Sequence, residues 1–429
     1  MNSLQQCVPT PGVGFVILVV IGLIFLGCGE RERINPFDPA GTLNPDVFRL
    51  TVKSSPDEVI LEWDPIASPD LTGFNIYRAV APEPLQPYDQ LPADSTNYTD
   101  NDDIEPGQTY VYGISALGET DETQLSSLDT ISTGNSWWWV LSEGRGPLSQ
   151  LSHDGLHVYQ SYYQYSSPRF IAADRNDQLV FLYDFAGGSI YYQWENGSTR
   201  KLADGFFSVR DMLYNETYGH IILLPENDTV VNFVYIQGGR SQLAQITHTA
   251  LITAGAVSPN GINWIAAEDS LFYIQGGGIQ LYYTTDGAPI TAVEPVRGDT
   301  VFVGLETVSE VRRIVADPAR TGRGRLDTTF TGIGTPEQIV HNRTDQSTWI
   351  HTVRNQSHEL YRLSAGGMQR MLTGLEQVLD MDVNPVSNVC LIADYRTGAV
   401  YRVSPDGTVS RKESLAGWIY AIAAQPIKD

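Results

Sequence analysis

Cysteine is almost missing from this chain: three in 429 residues, Cys7, Cys28 and Cys390, too few for a disulfide scaffold. Basic residues are scarce too. There are 27 Lys and Arg against 50 Asp and Glu, a formal net charge of −23, which argues against nucleic acid as a partner because phosphate binding needs a basic footprint. Five Met stand beside 39 Gly, 24 Pro and 22 Tyr, a balance that favours strands and turns. No G-x-S-x-G elbow, H-E-x-x-H pair or Walker loop occurs. There is also no uninterrupted apolar run of the ~20 residues that a hydrocarbon-spanning helix takes. What is present, 42% apolar and 18% charged residues, is the chemistry of a chain that buries a large core.

Residues 1–29 carry no charged side chain, and Phe15–Leu26 (FVILVVIGLIFL) is apolar apart from Gly22. That length suits the core of a secretory signal. The run ends in Phe25-Leu26-Gly27-Cys28, which resembles the lipobox of bacterial lipoproteins. The resemblance implies cleavage before Cys28, acylation of that residue, and a cell-envelope location, with Gly29 in place of Asp pointing to the outer membrane. The alternative is an uncleaved membrane anchor. Residues 28–45 then form an extended tether, kept from helix by Pro36, Pro39 and Pro45 and able to reach ~50 Å at ~3.1 Å per residue.

Residues 46–133 read as a sandwich of short strands: Phe48–Val52, Val59–Trp63, Phe74–Tyr77, Tyr110–Leu117 and Leu125–Ile131. The pattern VILEWDP…LTGFNIYR…YTD…IEPGQTYVYGISAL resembles a fibronectin type III domain, with Trp63 as its core tryptophan and Tyr110 as its corner tyrosine. Residues 41–134 hold 17 acidic and three basic side chains, so most of the net charge sits here. Asp100, Asp102, Asp103 and Glu105 cluster in one loop; this is either a Ca²⁺ site or a solvated, aggregation-resistant surface.

From 134 to 429 an apolar strand ending in a polar turn recurs: 179–184, 220–226, 263–269, 300–306, 348–353 and 389–395. The period near 42 residues and the flanking strands describe blades of a β-propeller. The sixth unit, VLDMDVNPVSNVCLIADYRTGAVYRVSPDG, resembles NHL-type propeller repeats. WIYAIAAQP (418–426) looks like a first strand without a blade, and 136–155 like a blade without a first strand. Pairing them gives a seventh, composite blade and leaves no sheet edge open, with six or eight blades as the alternatives. The fold class is therefore all-β throughout.

Several residues could carry chemistry. Asp380, Asp382 and Asn384 alternate on one face of a first strand and could hold a cation in the axial channel, or simply line it. Asp184, Glu226, Asp269, Glu306 and Asp394 follow the second strands and fall at one end of the ring. Sugar-lactonase-like propellers, which this chain resembles in architecture alone, place metal-binding carboxylates there. Arg320, Arg323 and Arg325, with Arg312 and Arg313, make the one basic concentration, in a Gly-rich stretch that could take an anionic ligand, dock against the acidic sandwich, or simply be a solvated connection between blades four and five. Trp137, Trp138, Trp139, Tyr159, Tyr162, Tyr163 and Tyr165 could stack on sugars or fill the core between blades. His351 and His358 match no helical metal motif, and Cys390 reads as a buried apolar residue.

Two functions follow. One is a lipid-anchored envelope protein whose ring presents a loop-rich face to a protein or glycan. The other is a metal-dependent hydrolase or lyase, with Ca²⁺ as a candidate cofactor. The anchor is testable directly: Cys28→Ala should move the protein from the membrane to the soluble fraction, whereas retention of the variant would favour an uncleaved helix.

Overall fold

The computed structural model describes residues 49–142, 148–174, 177–194, 196–237, 240–275, 277–412 and 418–426. The signal segment, Cys28 and the tether lie outside them. Every helix- or strand-length element among the described residues is a β-strand.

Seven strands come first: β1 (Leu50–Ser54), β2 (Val59–Trp63), β3 (Gly73–Val80), β4 (Gln86–Pro92), β5 (Asn97–Asp100), β6 (Thr109–Leu117) and β7 (Asp129–Ser132). They form two antiparallel sheets, ordered β1-β2-β5 and β4-β3-β6-β7. Period-2 alternation turns Val59, Leu61 and Trp63 inward against Phe74, Ile76, Tyr112 and Ile114. Each such side chain contributes about 1.5–3 kcal/mol on burial. The Tyr110 hydroxyl donates to the Asp103 carbonyl (3.0 Å) and accepts from the Glu105 amide (2.9 Å), fixing the turn ahead of its own strand. The acidic loop has an internal cation. Arg78 donates to both Asp100 oxygens (3.2 and 3.1 Å) and to the Asp102 carbonyl (2.7 Å), while Tyr88 and Tyr112 donate to the same carboxylate (3.0 and 2.6 Å). The edge strand β4 was not expected. It carries Pro87 and Pro92, which an outer strand tolerates because one row of its amides needs no partner.

Residues 136–426 form seven four-stranded antiparallel sheets. Six run in chain order: blade one spans 168–203, two 209–247, three 252–284, four 290–330, five 335–375 and six 378–412. In the seventh, Ile419–Pro426 pairs with Ser136–Ser142, from Ile419 opposite Ser142 to Pro426 opposite Ser136. The innermost strands touch in succession around a closed circle, and blade six meets this composite blade, which meets blade one. The ring is a β-propeller. Second strands such as Leu179–Asp184 and His220–Pro225 are buried at every position because neighbouring blades cover both faces; those of blades four and five are buried except at Thr300, Val353 and Arg354. Trp137 and Trp139 pack toward blade one, and Trp138 toward Leu391 and Val400 of blade six. The tryptophan run is thus core between blades, not a sugar platform.

Since the strands of a blade alternate in direction, the ring has two distinct ends. The upper end carries the connections between blades and the turns between second and third strands. The lower end carries the remaining turns and the sandwich. There Ser152 of the seventh blade accepts from the Ser54 amide (3.1 Å) and donates to its carbonyl (3.2 Å). His157 bridges Asp154 (2.8 Å) and Asp129 of the sandwich (3.3 Å), and Asp129 also accepts from the Val52 amide (3.2 Å). Burial opposes a charge on His157, but the two carboxylates prevail and raise it to about 9. A raised histidine contributes in full below its ordinary value near 6.5 and loses that contribution as pH climbs through 9. The shift corresponds to on the order of 3 kcal/mol. Scanning calorimetry between pH 6.5 and 9.5 should therefore show the sandwich separating into an earlier transition at the alkaline end. His157→Gln should show that separation at both pH values; a wild-type profile flat across this window would contradict the clasp.

Candidate functional site at the upper mouth of the ring

The residues singled out in the sequence scatter. Asp184 and Asp394 do lie at the upper end, but as the last residues of second strands rather than in turns, and both are buried and bonded to backbone. Asp184 accepts from the Ser166 and Ser167 amides (3.1 and 3.2 Å), Asp394 from those of Glu376 and Gln377 (3.1 and 3.2 Å). Each ties down the segment entering its own blade. Asp269 is half-buried and accepts from the Gly287 amide (3.1 Å). Glu226 and Glu306 are exposed at this end. Arg320 and Arg323 sit at the opposite, lower end, in the turn between Glu310–Ala316 and Gly324–Phe330, and Arg325 follows in the outermost strand. The stretch lies inside blade four rather than between blades four and five. Arg312 and Arg313 pair with Glu310 and Asp327.

Asp380, Asp382 and Asn384 do share a face, and that face reaches the neighbouring blade. Asp380 accepts from the Ile422 amide (2.8 Å), Asp382 from the Ala424 amide (2.8 Å), and Asn384 donates to the Ser136 hydroxyl (2.6 Å). All three therefore grip the composite blade. Among the described residues, no group of three or more His, Cys, Asp or Glu is placed to hold a metal ion. His351 Nε2 and His358 Nδ1 approach to 2.8 Å across one hairpin with rings nearly parallel, and burial drives His351 down to about 3. Burial pushes the Cys390 thiol well above its ordinary value, which suits a core residue.

A feature that sequence reading missed organises the mouth. Every innermost strand carries a β-bulge near its start, directly after the first ladder pair in six blades and after the second, Pro336 opposite Thr352, in blade five. The bulged residues are Arg169, Arg210, Thr253, Thr291, Glu337, Leu379 and Tyr420. Each follows a fully buried residue (Pro168, Val209, Ile252, Ile290, Pro336, Val378 or Ile419) yet is itself exposed or half-buried. A bulge re-aims one side chain while the ladder continues on either side. Seven of them turn a fold-level ring into a ring of side chains of five kinds, with Arg and Thr each used twice. Lining up the first strands, 38 to 46 residues apart, would have brought these positions into register.

The mouth is asymmetric. On one side the Arg169 guanidinium lies over the Phe185 ring (4.6 Å) and the Tyr420 ring (5.3 Å). Tyr395 packs between Tyr420 (5.2 Å) and Trp418 (5.1 Å). On the other side, burial and the nearby Glu306 hold the Glu337 carboxyl above its usual range, with Arg210 pulling the other way. One residue below the bulges, burial pushes Asp211 up to about 6 and Asp380 up to about 7.

No protein-family model matches the chain, and a search of curated proteins found no relative. Solved structures do resemble it in fold. A functionally unknown protein from Desulfotomaculum acetoxidans DSM 771 is 13% identical, with a TM-score of 0.54 over 68% of this chain and 99% of its own. A candidate 6-phosphogluconolactonase from Bacteroides uniformis ATCC 8492 is 11% identical, with a TM-score of 0.52 over 68% and 99%. A second, from Bacteroides fragilis NCTC 9343, is 10% identical, with a TM-score of 0.50 over 69% and 99%. At these identities the likeness is one of fold.

The two kinds of upper-end carboxylate should separate by mutation. Asp394→Ala leaves two amides without acceptors and should cost about 2–4 kcal/mol in urea unfolding, whereas Glu226→Ala should stay within about 0.5 kcal/mol.

Proposed function

We propose that this chain is a lipid-anchored cell-envelope protein whose propeller presents its upper mouth to a protein or glycan ligand. The observation that carries this reading is the ring of bulges, which turns seven side chains of five kinds toward one end, four of them exposed and one of these an arginine caged by aromatic rings. Acylation of Cys28 and an outer-membrane location rest on the lipobox resemblance. The sandwich serves as a spacer of fibronectin type III kind; its strand order and the Tyr110 corner support that assignment. Its clasp to the lower end leaves the mouth facing away from it.

A second reading has its own support. Asp211 and Asp380, held above the ordinary carboxylate range beneath the mouth, are suited to hold a proton near neutral pH. A hydrolase or lyase of the kind suggested by the sequence, with or without Ca²⁺, would draw on them.

The immobilised mature chain, probed with envelope proteins and glycans, should bind a partner, and Tyr420→Ala should weaken that binding by ~10-fold or more, about 1.4 kcal/mol. Absence of any partner, together with turnover of lactones that is lost in Asp211→Asn, would replace the binding reading with the enzymatic one.

A further inference from the structure

We infer that the aromatic sector of the mouth is a subsite for an acidic saccharide, its carboxylate on Arg169 and its ring faces on Trp418, Tyr395 and Tyr420. This rests on the proposal that the mouth binds a ligand, and names the ligand's chemical class.

Arg169 is exposed, and among the described residues no carboxylate lies within ion-pair distance of it. Phe185 and Tyr420 engage the guanidinium by their ring faces. A guanidinium stacked in this way keeps its in-plane N–H donors for an incoming carboxylate, and two parallel N–H···O bonds are the arrangement that Arg favours. The chain's net charge of −23, most of it in residues 41–134, repels such an anion from the sandwich and leaves this arginine as an attractive point on the ring. Beside the cation the rings form a curved floor: Trp418 is 49% exposed, and Tyr395 is tilted by 50° to Trp418 and 52° to Tyr420. Parallel rings would make a slot for a flat heterocycle. Tilted rings fit the puckered C–H faces of successive pyranoses, which contact aromatic surfaces at varied angles. The acidic sector at Glu306 and Glu337 bounds the site on the far side of the mouth.

Tetramers of galacturonate, mannuronate and guluronate, each beside its methyl ester and beside maltotetraose, are titrated calorimetrically into the full mature chain. At least one acid tetramer should bind ~10-fold or more tightly than its ester. Arg169→Gln should abolish that preference while ester binding persists, and Trp418→Ala should weaken acid and ester alike. Arg320→Gln, at the lower end, should change neither, and unaltered melting curves check that the variants fold. A preference that survives Arg169→Gln, or no binding by any acid tetramer, overturns the inference. If an envelope protein then occupies the mouth, the binding proposal stands without it; if neither saccharide nor protein binds, both fall.

Discussion

Blades of a ring fan outward from the axis, so the innermost strands of neighbouring blades cannot zip together by backbone pairing. The joints are made by side chains instead. Tyr214 of blade two donates to Asp174 of blade one (2.7 Å), and Arg210 donates to the Thr253 carbonyl of blade three (2.6 Å). Tyr282 reaches the Asp299 carbonyl of blade four (2.6 Å). Glu294 accepts from the His341 amide (3.0 Å), and Gln338 clasps both backbone groups of Met381 (2.9 and 3.0 Å). Asp380 and Asp382 hold blade seven, and Gln425 returns to the Asp174 and Leu179 carbonyls of blade one (3.2 and 3.1 Å). Apart from Tyr214–Asp174, which joins two side chains, these joints satisfy main-chain groups that burial would otherwise leave costly. Without them the sheets would pack by apolar contact alone, with nothing to fix their relative height.

These joints explain how one mouth can be both rigid and varied. The bulge in each innermost strand lifts one residue out of the ladder, and the following residues resume pairing and joint-making at once. In blade two, Arg210 does both, rimming the mouth while bonding Thr253. In blade six the roles divide between Leu379 at the rim and Asp380 below it. Chemistry at the rim can therefore differ from blade to blade while the scaffold stays the same.

What the sequence shows depends on how many faces a strand has covered. Second strands such as Leu179–Asp184 and Cys390–Asp394 are apolar runs because both faces are buried, and their expected positions agree with the structure to within a residue or two. Outer strands such as Gly324–Phe330 are mostly exposed and carry no pattern, which is why the arginines there read as a connecting loop. The composite blade was legible because two incomplete patterns complemented each other. The site was much less so. Asp380-Met381-Asp382 has the alternation of a strand with a polar face, and that much is right, but spacing cannot say whether a carboxylate meets a cation or a neighbour's amide. Trp137–Trp139 advertised themselves and are core, while Phe185, Tyr395 and the Trp418/Tyr420 pair come from three separate segments that only the closed ring brings near Arg169.

The seventh sheet takes one strand from the last eight described residues and three from just after the sandwich. Nearly the whole ring must be synthesised before its inner circle can close. Until then Ser136–Ser142, with its three tryptophans, has a bare inner edge and no cover from blade one or six. Loss of Ile419–Pro426 would thus act far beyond its length, leaving six finished sheets and a sticky seventh. Because Pro426 and Ser136 are partners at the same end, force applied between the sandwich and Pro426 would open that seam pair by pair, like a zip, instead of shearing it.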